Sequence, residues 1–221
     1  MLCVTDPSPP RGQPARYADS GAFICFEGGE GAGKSTQSRL LAQWLREQGR
    51  EVALTFEPGD TPVGKEIRRI VLSPETGELA HRTEALLYAA DKAEHVAEVV
   101  RPALERGAVV ITDRYVDSSI AYQGAARGID VDGLEGMLRW ATDGLRPHLT
   151  VVLDVEPADG LGRFEGRDRI EAEPAEFHQR ARADFLRLAE ADPEHYVVLD
   201  AREPIDELAA AIRDRVARVL P

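Results

Sequence analysis

Cysteine is scarce in this chain, with only Cys3 and Cys25 in 221 residues. The pair lacks metal-ligand spacing and cannot build a disulfide framework, which excludes a small, stapled secreted fold. A reducing cytoplasm is the natural setting. Cys25, inside the apolar run "AFICF", reads as a small core residue. No apolar run is long enough to cross a membrane. The start, with Pro7, Pro9, Pro10 and Pro14, has no following hydrophobic segment of the kind a signal peptide needs. Excess positive charge is lacking too: 39 acidic residues stand against 27 basic ones, for a net charge of −12. That argues against broad binding to nucleic acid or an anionic membrane, and leaves room for an anionic small ligand where cations are concentrated locally.

What is present is an alternation. Short apolar runs suited to buried parallel strands recur at 22–27, 51–56, 108–112, 149–154 and 195–199. Helical patterns lie between them. Leu40, Leu41, Trp44 and Leu45 form a stripe that Gly49 is placed to stop, as glycine commonly does after a helix. A long pattern runs over 81–105, where Pro102 is expected to end or kink the helix. Further helices are expected near 131–143, 174–191 and 204–219. Strands alternating with helices predict an α/β fold, a parallel sheet covered on both faces. Residues 1–20 read as a disordered or loosely docked extension and 21–221 as one domain.

Between the first run and the first stripe lies "FEGGEGAGKSTQ". Glycine loses the most conformational freedom on folding, so such a concentration needs a compensating interaction. Gly28-x-x-x-x-Gly33-Lys34-Ser35 has the form of a phosphate-binding P-loop, set between a strand and a helix as that motif requires. Its backbone N–H groups, over Gly28, Glu30, Gly31, Ala32, Gly33 and Thr36, would face a triphosphate at a helix N-terminus. Lys34 would reach the β- and γ-phosphates and the Ser35 hydroxyl would ligate Mg²⁺. A guanine-reading Asn-Lys-x-Asp segment is missing, which counts against a switch GTPase. A second candidate anion site is "TDRYVDSSIAYQG" after the third run. Asp113 falls at a strand's carboxyl end, where it can hold Mg²⁺, and Arg114 beside it can grip a phosphate with two N–H groups.

With these pieces in place the chain resembles the bacterial thymidylate kinases, P-loop nucleoside-monophosphate kinases. The matching segments are "FEGGEGAGKST", "EPGDTPVGKEIRRIVL", "EALLYAADKAEHV", "DRYVDSSIAYQG" and "DRIEAEPAEFH", in family order. The resemblance implies a five-stranded parallel sheet, a homodimer, ATP-Mg²⁺ as donor and dTMP as acceptor. It implies that Asp113 stands near the metal and the transferring phosphate, that Arg114 holds the acceptor phosphate, and that Glu30 faces the acceptor's sugar and phosphate. Tyr88 would stack on thymine, Ser119 and Gln123 would approach the base edge, and Tyr122 would stand where a 2′-hydroxyl would otherwise sit.

Two positions depart from the family pattern. Phe56 replaces an arginine before Glu-Pro-Gly, and Lys92 replaces an arginine after "AAD". Lysine keeps a charge but loses the planar fork that reads a base edge. A lid is expected over about 160–172, where Arg163 and Arg167 would bring positive charge over the transferring group and Gly162 and Gly166 would act as pivots. Arg169, in "DRIE", would pair instead with Asp168 or Glu171. On the residues alone, a kinase for another small nucleotide or nucleoside, or a nucleotide-binding regulator with little turnover, stays open.

Overall fold

The computed structural model describes residues 16–162 and 168–221. Five strands form one sheet: β1 (Ala22–Glu27), β2 (Val52–Phe56), β3 (Val109–Asp113), β4 (Leu149–Asp154) and β5 (Tyr196–Asp200). Every pairing is parallel and the order is β2-β3-β1-β4-β5. The five apolar runs therefore sit where they were expected, each within a residue or so of its bounds. Parallel strands need crossovers, and helices supply them. They are α1 (Lys34–Glu47), α2 (Pro62–Leu72), α3 (His81–His95), α4 (Arg101–Glu105), α5 (Val116–Ser119), α6 (Val131–Ala141), α7 (Pro157–Leu161), α8 (Ala175–Ala191) and α9 (Ile205–Val216).

Every residue of β1 is buried, as a central strand covered on both faces demands. Side chains alternate across a strand, and β1 divides accordingly. Ala22, Ile24 and Phe26 enter a core with Leu41 and Leu45 of α1 and Ile212 and Val216 of α9. Phe23 and Cys25 enter the opposite core with Val96, Val100, Leu134 and Leu138. Cys25 is a buried, free thiol, as its apolar setting suggested.

Gly49 ends α1 as expected. It has φ of +78°, and the N–H groups of Gly49 and Arg50 bond to the carbonyls of Arg46 and Leu45 at 2.9 and 3.1 Å, the six-to-one closure that a left-handed residue allows. Pro102 neither ends the long helix nor interrupts it alone. A wider π turn over Val96–Val100 comes first, and Pro102 then sits in the first turn of α4, where its missing N–H and its ring are easier to accommodate. Of the extension, Arg16 to Ser20 is docked. Arg16 exchanges backbone bonds with Gly144 and Arg146 at 3.0 and 2.9 Å, Ser20 Oγ donates to the Leu104 carbonyl at 2.8 Å, and Tyr17 stacks on His195 at 4.6 Å.

The carboxyl ends of all five strands share one edge, the place where open α/β sheets gather ligands. β1 ends at Glu27 and runs into the glycine loop; β3 ends at Asp113 and runs into Arg114.

Candidate active site

Two glycines show why the loop needs that residue. A Cβ on Gly28 (φ +129°) would lie 2.3 Å from the Leu153 carbonyl oxygen, and one on Gly31 (φ +70°) equally close to that of Gly160. The loop is thus pressed against backbone with no room for a side chain. It delivers α1 with Gly33 at its N-cap and no side chain bonded across that end, a helix N-terminus whose dipole favours an anion, although the Thr36 N–H is already taken by the Gly33 carbonyl at 3.0 Å. Glu30, Gly31, Ala32, Gly33, Lys34, Ser35 and Thr36 line a cavity of about 760 Å³ beside it, and Gly28 lies behind, contributing its carbonyl. Lys34 Nζ donates to the carbonyls of Gly28 and Gly29 at 3.1 and 2.8 Å. Burial, then the neighbouring Arg114, lowers its pKa, against the pull of Glu30 and Asp113. Ser35 Oγ donates to Asp113 Oδ2 at 2.6 Å, which brings the two expected metal ligands together at the mouth of this cavity.

A smaller cavity of about 130 Å³ adjoins the first. All the residues expected around the acceptor line it: Glu30, Tyr88, Lys92, Arg114, Ser119, Tyr122 and Gln123. Arg114 stands on the seam, lining both cavities. Its guanidinium contacts Glu30 Oε1 at 2.5 Å, Ser118 Oγ at 3.0 Å and the Gly28 carbonyl at 3.3 Å, with the Tyr122 ring centroid 5.2 Å away. Burial pushes the Glu30 carboxyl up, but Arg114 and Lys34 more than offset this and leave it below its ordinary range. Tyr122 is wedged between Phe177 and Phe185, with centroids at 5.8 and 5.9 Å. Ser119 Oγ is buried with no hydrogen-bond partner among the described residues, an unusual state for a buried hydroxyl in a cavity wall.

Other acceptor-side groups are engaged with protein. Lys92 is 1% exposed and its Nζ donates to Glu57 Oε2 at 2.8 Å, while His95 Nδ1 lies 2.7 Å from Glu57 Oε1. Burial acts to raise the Glu57 carboxyl, and Lys92 with His95 bring it below its usual value. Gln123 Nε2 donates to Glu84 Oε1 at 3.0 Å, and Arg127 and Arg169 converge on the same buried carboxylate. Arg169 therefore pairs with Glu84 rather than with Asp168 or Glu171; the loop places its side chain over the end of α2, where Nε also meets the Val71 carbonyl at 2.9 Å. Arg163 and Arg167 lie outside the described residues.

Two side chains to which the sequence assigned no role, Glu57 and Arg68, line both cavities, as does Glu171, expected only as a partner for Arg169. Arg68 deserves the closest comparison with Phe56. The guanidinium carbon of Arg68 lies 5.8 Å from the Phe56 ring centroid, and its Nη1 donates to the Pro58 carbonyl at 2.8 Å. The cation that Phe56 does not provide is thus adjacent to it, on α2. A Thr-Pro pair opening that helix, with Thr61 accepting the Gly64 N–H at 2.9 Å, was its available signal.

The chain can now be set beside known proteins. A family model described as thymidylate kinase matches residues 26–212. The thymidylate kinase of Cutibacterium acnes is 54% identical over 200 residues, 90% of this chain and 98% of that protein. That of Clavibacter sepedonicus is 55% identical over 200 residues, covering 89% of this chain and 94% of its own length. The crystal structure of thymidylate kinase from Ehrlichia chaffeensis superposes with a TM-score of 0.75 at 30% identity, covering 90% of this chain and 99% of that one. This chain belongs to the thymidylate kinase family.

Proposed function

We infer that the chain transfers the γ-phosphoryl group of ATP to the 5′-phosphate of dTMP, giving dTDP and ADP. The observation that carries this reading is the pair of cavities meeting at Arg114, one lined by the glycine loop and the other by Tyr88, Ser119 and Tyr122. ATP enters the larger cavity with its phosphates on the loop; dTMP enters the smaller with its phosphate toward Arg114 and Glu30.

An acceptor phosphate oxygen is already anionic, so transfer needs no strong general base; positioning and charge neutralisation suffice. Lys34 turns from the Gly28 and Gly29 carbonyls to the donor's outer phosphates. Arg114 holds the acceptor phosphate, and Arg163 and Arg167 add charge over the transferring group. Tyr122, held by its aromatic neighbours, crowds the sugar's 2′ position, and Tyr88 stacks on the base. Ser119 offers the base edge a free hydroxyl. Ser35 and Asp113 fit Mg²⁺, since both offer hard oxygen donors and among the described residues no cluster of three His, Cys, Asp or Glu is gathered as an all-protein cage. When bound there, the ion neutralises phosphate charge.

We further take the working unit to be a homodimer. Leu86 on α3 and Trp140 on α6 are 58% and 67% exposed, and these two helices pack together. The reaction belongs in the cytoplasm, in keeping with the free thiol of Cys25. No helix among the described residues is long and apolar enough to cross a membrane.

The test is steady-state turnover with ATP-Mg²⁺ and a panel of dTMP, dUMP, dCMP, dGMP and AMP. The expected result is the highest kcat/KM for dTMP. Equal or better use of another monophosphate would overturn the acceptor assignment.

A further inference from the structure

Glu27 closes β1 one residue before the glycine loop and is fully buried. Both of its oxygens are in use. Oε1 accepts the backbone N–H groups of Tyr115 and Ser118 at 2.8 and 3.1 Å, and Oε2 accepts the Ser118 hydroxyl at 2.6 Å. Burial raises its pKa and nearby Asp117 adds to this, while Arg114 and the Ser118 and Tyr115 bonds act the other way. Capping the start of a helical segment needs no charge; a neutral side chain does so without desolvating a carboxylate. The acid at this position has a use beyond capping.

We infer that Glu27 is a positioning residue for phosphoryl transfer, acting through Ser118 and the Arg114 turn to fix the Arg114 guanidinium at the seam of the two cavities. Ser118 has a single hydroxyl proton. With that proton given to Glu27, the oxygen presents its lone pairs to Arg114 Nη1, 3.0 Å away. The second route is through the backbone. Arg114 has φ of +73°, a conformation that non-glycine residues adopt only where the surroundings enforce it. Its own N–H is held by the Phe26 carbonyl at 2.9 Å, and the N–H that follows it by Glu27. Two consecutive residues at the end of β1 thus bracket the turn that aims the arginine. The residue after them, Gly28, begins the donor loop and accepts from both Lys34 and Arg114. One buried carboxylate therefore keeps the acceptor arginine in register with the donor loop. This inference rests on Arg114 being the arginine of the acceptor phosphate.

Glu27→Gln preserves size and the Oε1 acceptor, but its amide N–H₂ cannot take the Ser118 proton. The expected result is a kcat with ATP and dTMP reduced by about thirtyfold or more, the scale of a small misplacement near the reacting atoms. KM for ATP should change by less than about twofold, because the donor loop keeps its contacts. Ser118→Ala, which removes only the relay, should reduce kcat by about tenfold, with Ser118→Thr restoring it. In the double variant the losses should be non-additive, since the two residues act as one unit. Arg114→Ala is the control: unchanged dTMP turnover there overturns the site reading itself. If Arg114→Ala is impaired while a folded Glu27→Gln, or Ser118→Ala, keeps kcat within about threefold of the parent, the positioning role is overturned. Additive losses in the cycle would overturn the relay as well.

Discussion

The two cavities that meet at Arg114 are built by opposite means. The phosphate end of the donor side is backbone from one unbroken stretch, Glu30 to Thr36, in a loop pressed close against Leu153 and Gly160. The acceptor side is side chains from separated segments whose charges satisfy one another: Glu57 with Lys92 and His95, and Glu84 with Gln123, Arg127 and Arg169. A backbone cradle is set by conformation and tolerates the loss of a side chain. A buried polar network is sensitive to the loss of any member, because the partner left behind is desolvated and unpaired. Substitutions on the donor side should therefore cost rate and leave the fold standing. Those on the acceptor side should cost stability and dTMP binding together.

Lys34→Ala is the sharpest test of the donor half. Removing a preorganised cation from the transferring phosphates should lower kcat by about a thousandfold. The melting temperature should shift by only a few degrees, since the lost contacts are the two loop carbonyls. Turnover and calorimetry on the same preparation check both halves of that statement. Near-normal kcat would mean that the larger cavity is not the donor site.

The lid arginines come next in size. Lys34 is the one side-chain cation inside the glycine loop, and a net charge of −12 supplies no diffuse positive field. On the proposed reading, Arg163 and Arg167 add to the charge that Arg68 and Arg114 of the cavity wall bring toward the γ-phosphoryl oxygens. Replacing either with alanine should lower kcat by about a hundredfold with little change in KM, as for an interaction made mainly in the transition state. A raised KM for ATP with kcat preserved would make the lid a binding clamp instead.

The same contrast explains what could be read in advance. The donor site was legible because its chemistry is local: a strand, a spaced set of glycines and a helix, all within consecutive residues. The sheet was legible for a similar reason, since buried parallel strands are continuous apolar runs. Asp113 and Arg114 could be placed because they follow such a run. The acceptor network was not legible, because no local period records it. Lys92 and Glu57 are 35 positions apart, and Gln123 and Glu84 are 39 apart. Arg169 likewise went to a distant carboxylate rather than to its sequence neighbours. Helix α2 was legible and was missed: Thr61 and Pro62 mark its start, and Gly64, Ile67 and Val71 recur on one buried face at helical spacing.

Lys92→Met probes the acceptor half directly. It keeps an apolar stem of similar length and deletes the charge facing Glu57, whose side chain is 1% exposed. Breaking a buried pair by removing one partner is strongly destabilising, and because His95 still contacts Glu57 the cost should be about 2 kcal/mol. That corresponds to a fall of about 4–8 °C in melting temperature for a domain of this size. KM for dTMP should rise while KM for ATP holds. Unchanged stability would show that the Glu57 network is not what shapes this cavity, and would blur the contrast between the two halves.

Asp91 offers the smallest and most specific effect. Its Oδ1 accepts the Gly59 N–H at 3.0 Å, while Oδ2 is buried without a partner among the described residues. Burial, and then the nearby Glu57, push its pKa from 3.8 up to about 6. The folded state thus holds the proton more tightly than the unfolded chain. The associated stability is fully present below the unfolded value of 3.8 and is lost as pH rises through about 6. Above that, the folded protein carries a poorly solvated carboxylate. Glu57 contributes with the opposite sign, since its carboxyl lies below its ordinary range, so wild-type stability alone would mix the two. The difference in melting temperature between Asp91→Asn and wild type largely removes the Glu57 contribution. Asparagine keeps an acceptor for Gly59 and cannot ionise. The variant should melt higher than wild type near about pH 8, and the gap should close or reverse toward about pH 5. A gap that stays flat across that range would mean that Asp91 does not titrate there, and that its burial beside Glu57 does not hold its proton.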